Sequence, residues 1–231
     1  MSSLSRNARV AGALYVLFSI FGALRLIYIP SKLIVHGNAA ATANNIAAHE
    51  MLFRLGTISY LIGAAGWIFV TLVLYRLFRE VDQNLAALMV ILGSLVSVPI
   101  FFFNAVNDVA ALLLARGELL SVFDAAQRDA LVMLFLRLHN YGDAANEIFW
   151  GLWLIPLGLL VYRSRFLPRI LGIWLILGCI GYLGLSFTAF LFPQYEKKAF
   201  TYSQPFTICE VAFMLWLIVM GAKEKKIGAE A

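Results

Sequence analysis

Apolar residues run along this chain in six long blocks, at about 8–29, 53–78, 85–114, 130–162, 167–192 and 204–222. Polar residues gather between the blocks and thin out inside them. A hydrocarbon core of about 30 Å needs roughly 20 helical residues to cross it. The pattern therefore predicts an all-α, six-transmembrane-helix bundle, one polytopic membrane domain over residues 1–231. Pro30, Gly117 and Pro193 mark block ends, while Pro99 and Pro156 fall inside blocks, where membrane helices tolerate a kink. The first block is too long for a secretory signal core of about 7–15 residues, and Arg25 interrupts it, so it is read as a retained helix.

Composition supports this reading. The chain is 62% hydrophobic and 13% charged, against roughly half and a quarter in soluble domains. Six spans put both termini on one side. Arg6, Arg9, Arg76, Arg79, Arg163, Arg165, Arg169, Lys223, Lys225 and Lys226 share that side, against Lys32, Arg116, Arg128, Lys197 and Lys198 on the other. Basic residues favour the cytoplasm, so both termini are expected there. The net charge of +5 then follows from topology and calls for no nucleic acid. Cys179 and Cys209 lie in apolar stretches and read as buried thiols rather than a disulfide or a zinc motif. The five tryptophans all fall in spans and read as membrane packing.

Two loops exceed simple turns. Residues 31–50 are rich in helix-tolerant small residues, and in residues 117–129 Ser121 followed by Asp124 resembles a helix cap. Both loops are candidates for short surface helices. The starts of the first and fifth helices, Arg9-Val-Ala-Gly and Arg169-Ile-Leu-Gly, echo one another weakly, which basic anchoring plus a small packing residue explains without a repeat.

Ionisable side chains at membrane depth cost at least about 2.5–3.5 kcal/mol, so they turn inward and find partners. Here they and polar asparagines concentrate toward one end of the bundle: Arg25; Glu50 and Arg54; Asn104, Asn107 and Asp108; His139, Asp143, Asn146 and Glu147; and Glu210. At about 100° per residue, His139, Asp143, Asn146, Glu147 and Trp150 share one helix face about 100° wide, and Arg137 falls on the opposite side. The economical arrangement turns these faces toward one another around a polar cavity open to the outside. These eleven residues are the candidate ligand site.

Three chemistries suit it. Two arginines above an apolar floor suit a lipid head group or small amphiphile, which is the leading expectation. His139, Asp143 and Glu147 at i, i+4, i+8, with Asp108 and Glu210, suggest a zinc or manganese set and a metal-dependent hydrolase. Carboxylates and a histidine at depth also suit a proton-coupled small-molecule transporter, although the inner half offers no matching polar lining. No GxSxG, GxGxxG or P-loop motif is present, so enzyme activity is left open. The expected partners are membrane lipid and a small amphiphile.

The run from Asn146 to Gly158, followed by Tyr162 to Gly172, resembles the bacterial integral-membrane family known as domain of unknown function 4386. Arg9-Val-Ala-Gly-Ala-Leu-Tyr and Glu50-Met-Leu-Phe-Arg-Leu-Gly are similar to it too. The resemblance covers nearly the whole chain. It implies about six helices in a bacterial or archaeal inner membrane, and implies no activity. Its most recognisable stretch, Phe149 to Gly158, reads as a packing motif.

Overall fold

The computed structural model describes residues 3–117 and 123–223. Among them every element is helical: α1 (Leu4–Leu33), α2 (Ala39–Ala48), α3 (Glu50–Phe78), α4 (Gln83–Arg116), α5 (Ala125–Ser164), α6 (Arg169–Leu191) and α7 (Pro193–Val219). All but α2 are long and apolar enough to cross a membrane. Each expected block corresponds to one span, and the differences lie at the ends. The largest is α7, which begins at Pro193 and not near residue 204. The segment Glu196–Thr207 is helical but carries Glu, two Lys, Ser, Gln and Thr, so hydropathy alone does not mark it.

Local chemistry sets several starts. Asn38 caps α2, its side chain accepting from the Ala41 N–H at 2.9 Å. The expected helix in residues 31–50 is thus present. Ser121 lies outside the described residues, and the cap at the start of α5 is Asp124. Its Oδ1 accepts from the Gln127 N–H at 2.8 Å, and Gln127 Oε1 accepts from the Asp124 N–H at 3.1 Å, a reciprocal capping box.

Prolines explain the internal irregularities. A proline cannot serve the carbonyl four residues before it. Two π-helical turns, Leu24–Tyr28 and Ile91–Val96, contain those carbonyls for Pro30 and Pro99. The i→i+5 register lets such a carbonyl reach past the proline to the next N–H. The first turn also carries Arg25. At Trp153, α5 breaks three residues before Pro156, and α7 breaks at Ile208 after Pro205, whose carbonyl accepts from Trp174 Nε1 at 2.8 Å.

The chain divides into two compact units. The first comprises residues 1–17, 66–98 and 144–231. Its centre is an aromatic cluster, with Trp67 4.8 Å from Tyr15 and 5.6 Å from Trp153, both edge to face. Gly158 and Gly172 bring α5 and α6 into backbone contact, since a Cβ on either would stand 2.6 Å from the other's carbonyl oxygen. Cys179 and Cys209 are buried free thiols.

The second unit comprises residues 18–65 and 99–143. Ile29, Leu33, Ile46, Phe53, Leu112 and Val132 form its apolar core, joining five helices including α2. Large apolar side chains also face outward, among them Ile27 at 69% exposure and Phe103 at 79%. In water such surface would be an aggregation hazard, whereas against acyl chains it is the expected exterior.

Candidate buried charge cluster

The second unit holds the densest polar chemistry. The π turn of α1 places Arg25, 2% exposed, against Asp108 of α4, 0% exposed. The guanidinium grips the carboxylate with two bonds, Nε to Oδ2 at 2.8 Å and Nη2 to Oδ1 at 2.5 Å. Such a fork satisfies both ions, as an apolar setting requires. Thr57 of α3 donates to Asp108 Oδ2 at 3.2 Å, and the Phe53 ring lies 5.8 Å from the Arg25 guanidinium carbon.

His139 of α5 stands between two carboxylates, with no exposed surface. Its Nδ1 lies 3.1 Å from Asp108 Oδ1, and its Nε2 lies 3.2 Å from Asp143 Oδ2. Neither oxygen lies in line with a ring N–H, so the contacts are close without being well-formed hydrogen bonds. The Asp143 side chain is 13% exposed and accepts from the Tyr60 hydroxyl. Asn104 ties the cluster to the backbone, its Nδ2 donating to the His139 carbonyl at 2.8 Å and to Asp143 Oδ1 at 3.2 Å. Asn107 in turn donates to Asn104 Oδ1 at 3.0 Å. With Arg25 charged and both aspartates ionised, a neutral imidazole leaves one excess negative charge, and one added proton makes the set neutral.

A family model described as a domain of unknown function, DUF4386, matches residues 10–221. The chain belongs to this family. No curated protein and no solved structure matches it. In this DUF4386 protein the matched region contains the glycine pair, Gly158 and Gly172, that seats α5 on α6.

The eleven expected site residues do not all meet. Arg25, Asn104, Asn107, Asp108, His139 and Asp143 come together as described. Glu50 instead bridges Arg54 at 2.6 Å and Arg116 at 2.5 Å on the exposed surface of the same unit. Asn146, Glu147 and Glu210 belong to the first unit. There Ser97 Oγ donates to Asn146 Oδ1 at 2.9 Å, and Glu210 accepts from two tyrosines. Of the expected metal set, Asp108, His139 and Asp143 are neighbours, while Glu147 and Glu210 lie in the other unit. Among the described residues no group of three or more His, Cys, Asp or Glu side chains is placed to hold a metal.

Within the second unit the cluster is tightly packed. Arg25, Asp108, His139 and Asn104 close on one another and are buried. The reason is stoichiometric: Arg25 finds its anion in Asp108, and Gly142 lets Asn104 press close, since a Cβ there would stand 2.5 Å from Asn104 Oδ1. Two surface grooves of the unit lie elsewhere. One is lined by Ile20, Phe21, Leu24, Ile27, Tyr28 and Ser31, the other by Gly37, Asn38, Ala130, Met133, Leu134 and Arg137.

Sequence reasoning missed Thr57 and Tyr60. The same helical arithmetic applied to α3 places Glu50, Phe53, Thr57 and Tyr60 within a stripe about 80° wide, so the signal was present. The surface bridge gives a contrast with the buried pair. Glu50→Ala is expected to leave the thermal denaturation midpoint in detergent micelles close to that of the wild type, because exposed ion pairs contribute little.

Proposed function

We propose that this multi-pass membrane protein is a proton-coupled small-molecule transporter whose proton-binding site is the Arg25–Asp108–His139–Asp143 cluster. The observation that carries the reading is His139, buried with a carboxylate against each ring nitrogen. One carboxylate is locked by Arg25, and the other is partly exposed and held by Tyr60. Intramembrane ionisable groups of this kind mark proton relays, and imidazole is the side chain suited to exchanging protons near neutrality. The π turn of α1 that carries Arg25 adds support, because transporter sites are built around such helix irregularities.

The head-group reading has less behind it. The Arg25 fork is filled by Asp108, and Arg54 is engaged by Glu50. The positive-inside count supports an inner-membrane location with both termini in the cytoplasm.

A pH step applied to proteoliposomes on a solid-supported membrane tests the proposal. The wild type is expected to give a transient current from protons binding at membrane depth. His139→Gln should remove the share of it that belongs to this cluster, and Asp143→Asn should reduce it. A His139→Gln protein that folds and gives the full transient would contradict the assignment.

A further inference from the structure

Glu210 presents a second and different chemistry. It sits in the first turn of the helical segment Cys209–Val219, directly after the break at Ile208. Nine residues separate it from the end of that segment, about 14 Å of helix, close to half of a hydrocarbon core of about 30 Å. The sequence pattern alone puts Glu210 about two turns into its helix. Because α7 begins at Pro193, the carboxylate lies further from the start of its helix than that.

Its partners are two phenols. Tyr15 of α1 donates to Oε1, and Tyr182 of α6 donates to Oε2 at 2.5 Å. Tyr15 is buried in the aromatic cluster, while Tyr182 and Glu210 are half-buried. The other titratable groups acting on this trio are the buried Cys209 thiol, on the same helix, and Glu147 of α5, which acts on Tyr182. Among the described residues no Lys, Arg or His forms an ion pair with Glu210. Asp108 has an arginine fork to balance its charge, and Glu210 has two neutral hydroxyls.

A carboxylate whose surroundings supply hydrogen bonds but no cation stays in a membrane at a large desolvation cost unless a proton neutralises it. Two phenols suit both forms. Each donates to the ionised carboxylate, and a phenol oxygen also accepts from the protonated carboxyl once its own O–H turns away. A purely structural contact would be served as well by glutamine, which keeps an acceptor oxygen and carries no charge.

We propose that Glu210, held between Tyr15 and Tyr182, is a proton-binding site within the membrane, distinct from the His139 cluster. The carboxylate takes one proton from hydronium, leaving water and a neutral carboxyl, and returns it by the reverse step. This inference does not rest on the His139 reading.

Infrared difference spectroscopy on the full chain in lipid nanodiscs, stepped in pH, tests it. The protonated carboxyl stretch of Glu210 is expected as a difference band that is lost in Glu210→Gln and retained in His139→Gln. In Tyr182→Phe, which removes one hydrogen bond and leaves the ring, the band should move to a new frequency. A carboxyl band unchanged in folded Glu210→Gln would overturn the assignment. If that variant does not fold, a band unmoved in both Tyr182→Phe and Tyr15→Phe would overturn it equally. Loss of the band in His139→Gln alone would transfer the proton to the other cluster and sink this inference while sparing the reading of His139.

Discussion

Replacing Arg25 by methionine is expected to destabilise the protein by about 3–5 kcal/mol, the usual consequence of removing one partner from a buried ion pair. The guanidinium makes both bonds of a fork to Asp108, and neither residue has more than 2% of its surface exposed. Without Arg25, Asp108 keeps only Thr57 and the poorly aligned His139. The loss comes chiefly from an anion stranded in an apolar setting and not from the attraction itself. The double variant Arg25→Met/Asp108→Leu should therefore recover a large share of the stability, because it removes the stranded charge. Equilibrium unfolding in mixed micelles measures both. A single-variant loss below about 1 kcal/mol would mean that the pair behaves like the exposed Glu50 bridges.

Gly158→Val is expected to cost about 2–3 kcal/mol by overpacking. An added Cβ would meet the Gly172 carbonyl oxygen at 2.6 Å and the Ile176 N at 3.1 Å. These are backbone atoms of α6, so they yield only if the helices part. Close approach through small residues is what holds membrane helices together in the absence of a hydrophobic drive between them. Gly184 on the same helix α6 supplies the control. Nothing lies within 4 Å of a Cβ built there, so Gly184→Ala should be neutral or stabilising by up to about 1 kcal/mol. Thermal denaturation of the two variants side by side distinguishes a packing site from a general sensitivity to glycine replacement.

Hydropathy was enough to find every span, because in hydrocarbon the backbone has almost no other option than a helix. It misplaced the start of α7, since Glu196–Thr207 has the composition of a loop although it is helical. Depth picked out Arg25, Asp108, His139 and Asp143, and the i, i+4 spacing correctly placed the last two side by side and Arg54 beside Glu50. Facing on one helix says nothing about which neighbour is met. Asn146 shares the stripe of His139 on α5, yet its partner is Ser97, and Glu210 meets phenols that look like ordinary apolar residues in a span. The sequence pattern also does not show how polar groups satisfy one another, as the Arg25–Asp108 fork and the Asn104 contacts do.

The proton on His139 is open to direct observation. The chain has only three histidines, so nitrogen-15 resonances of histidine-labelled protein in nanodiscs are assigned by His36→Gln, His49→Gln and His139→Gln. The expected result is a His139 signal that titrates while the protein remains folded and moves in Asp143→Asn, with the other two unaffected. A His139 signal that never titrates in the folded protein, and is unchanged in Asp143→Asn, would contradict the proton-binding cluster.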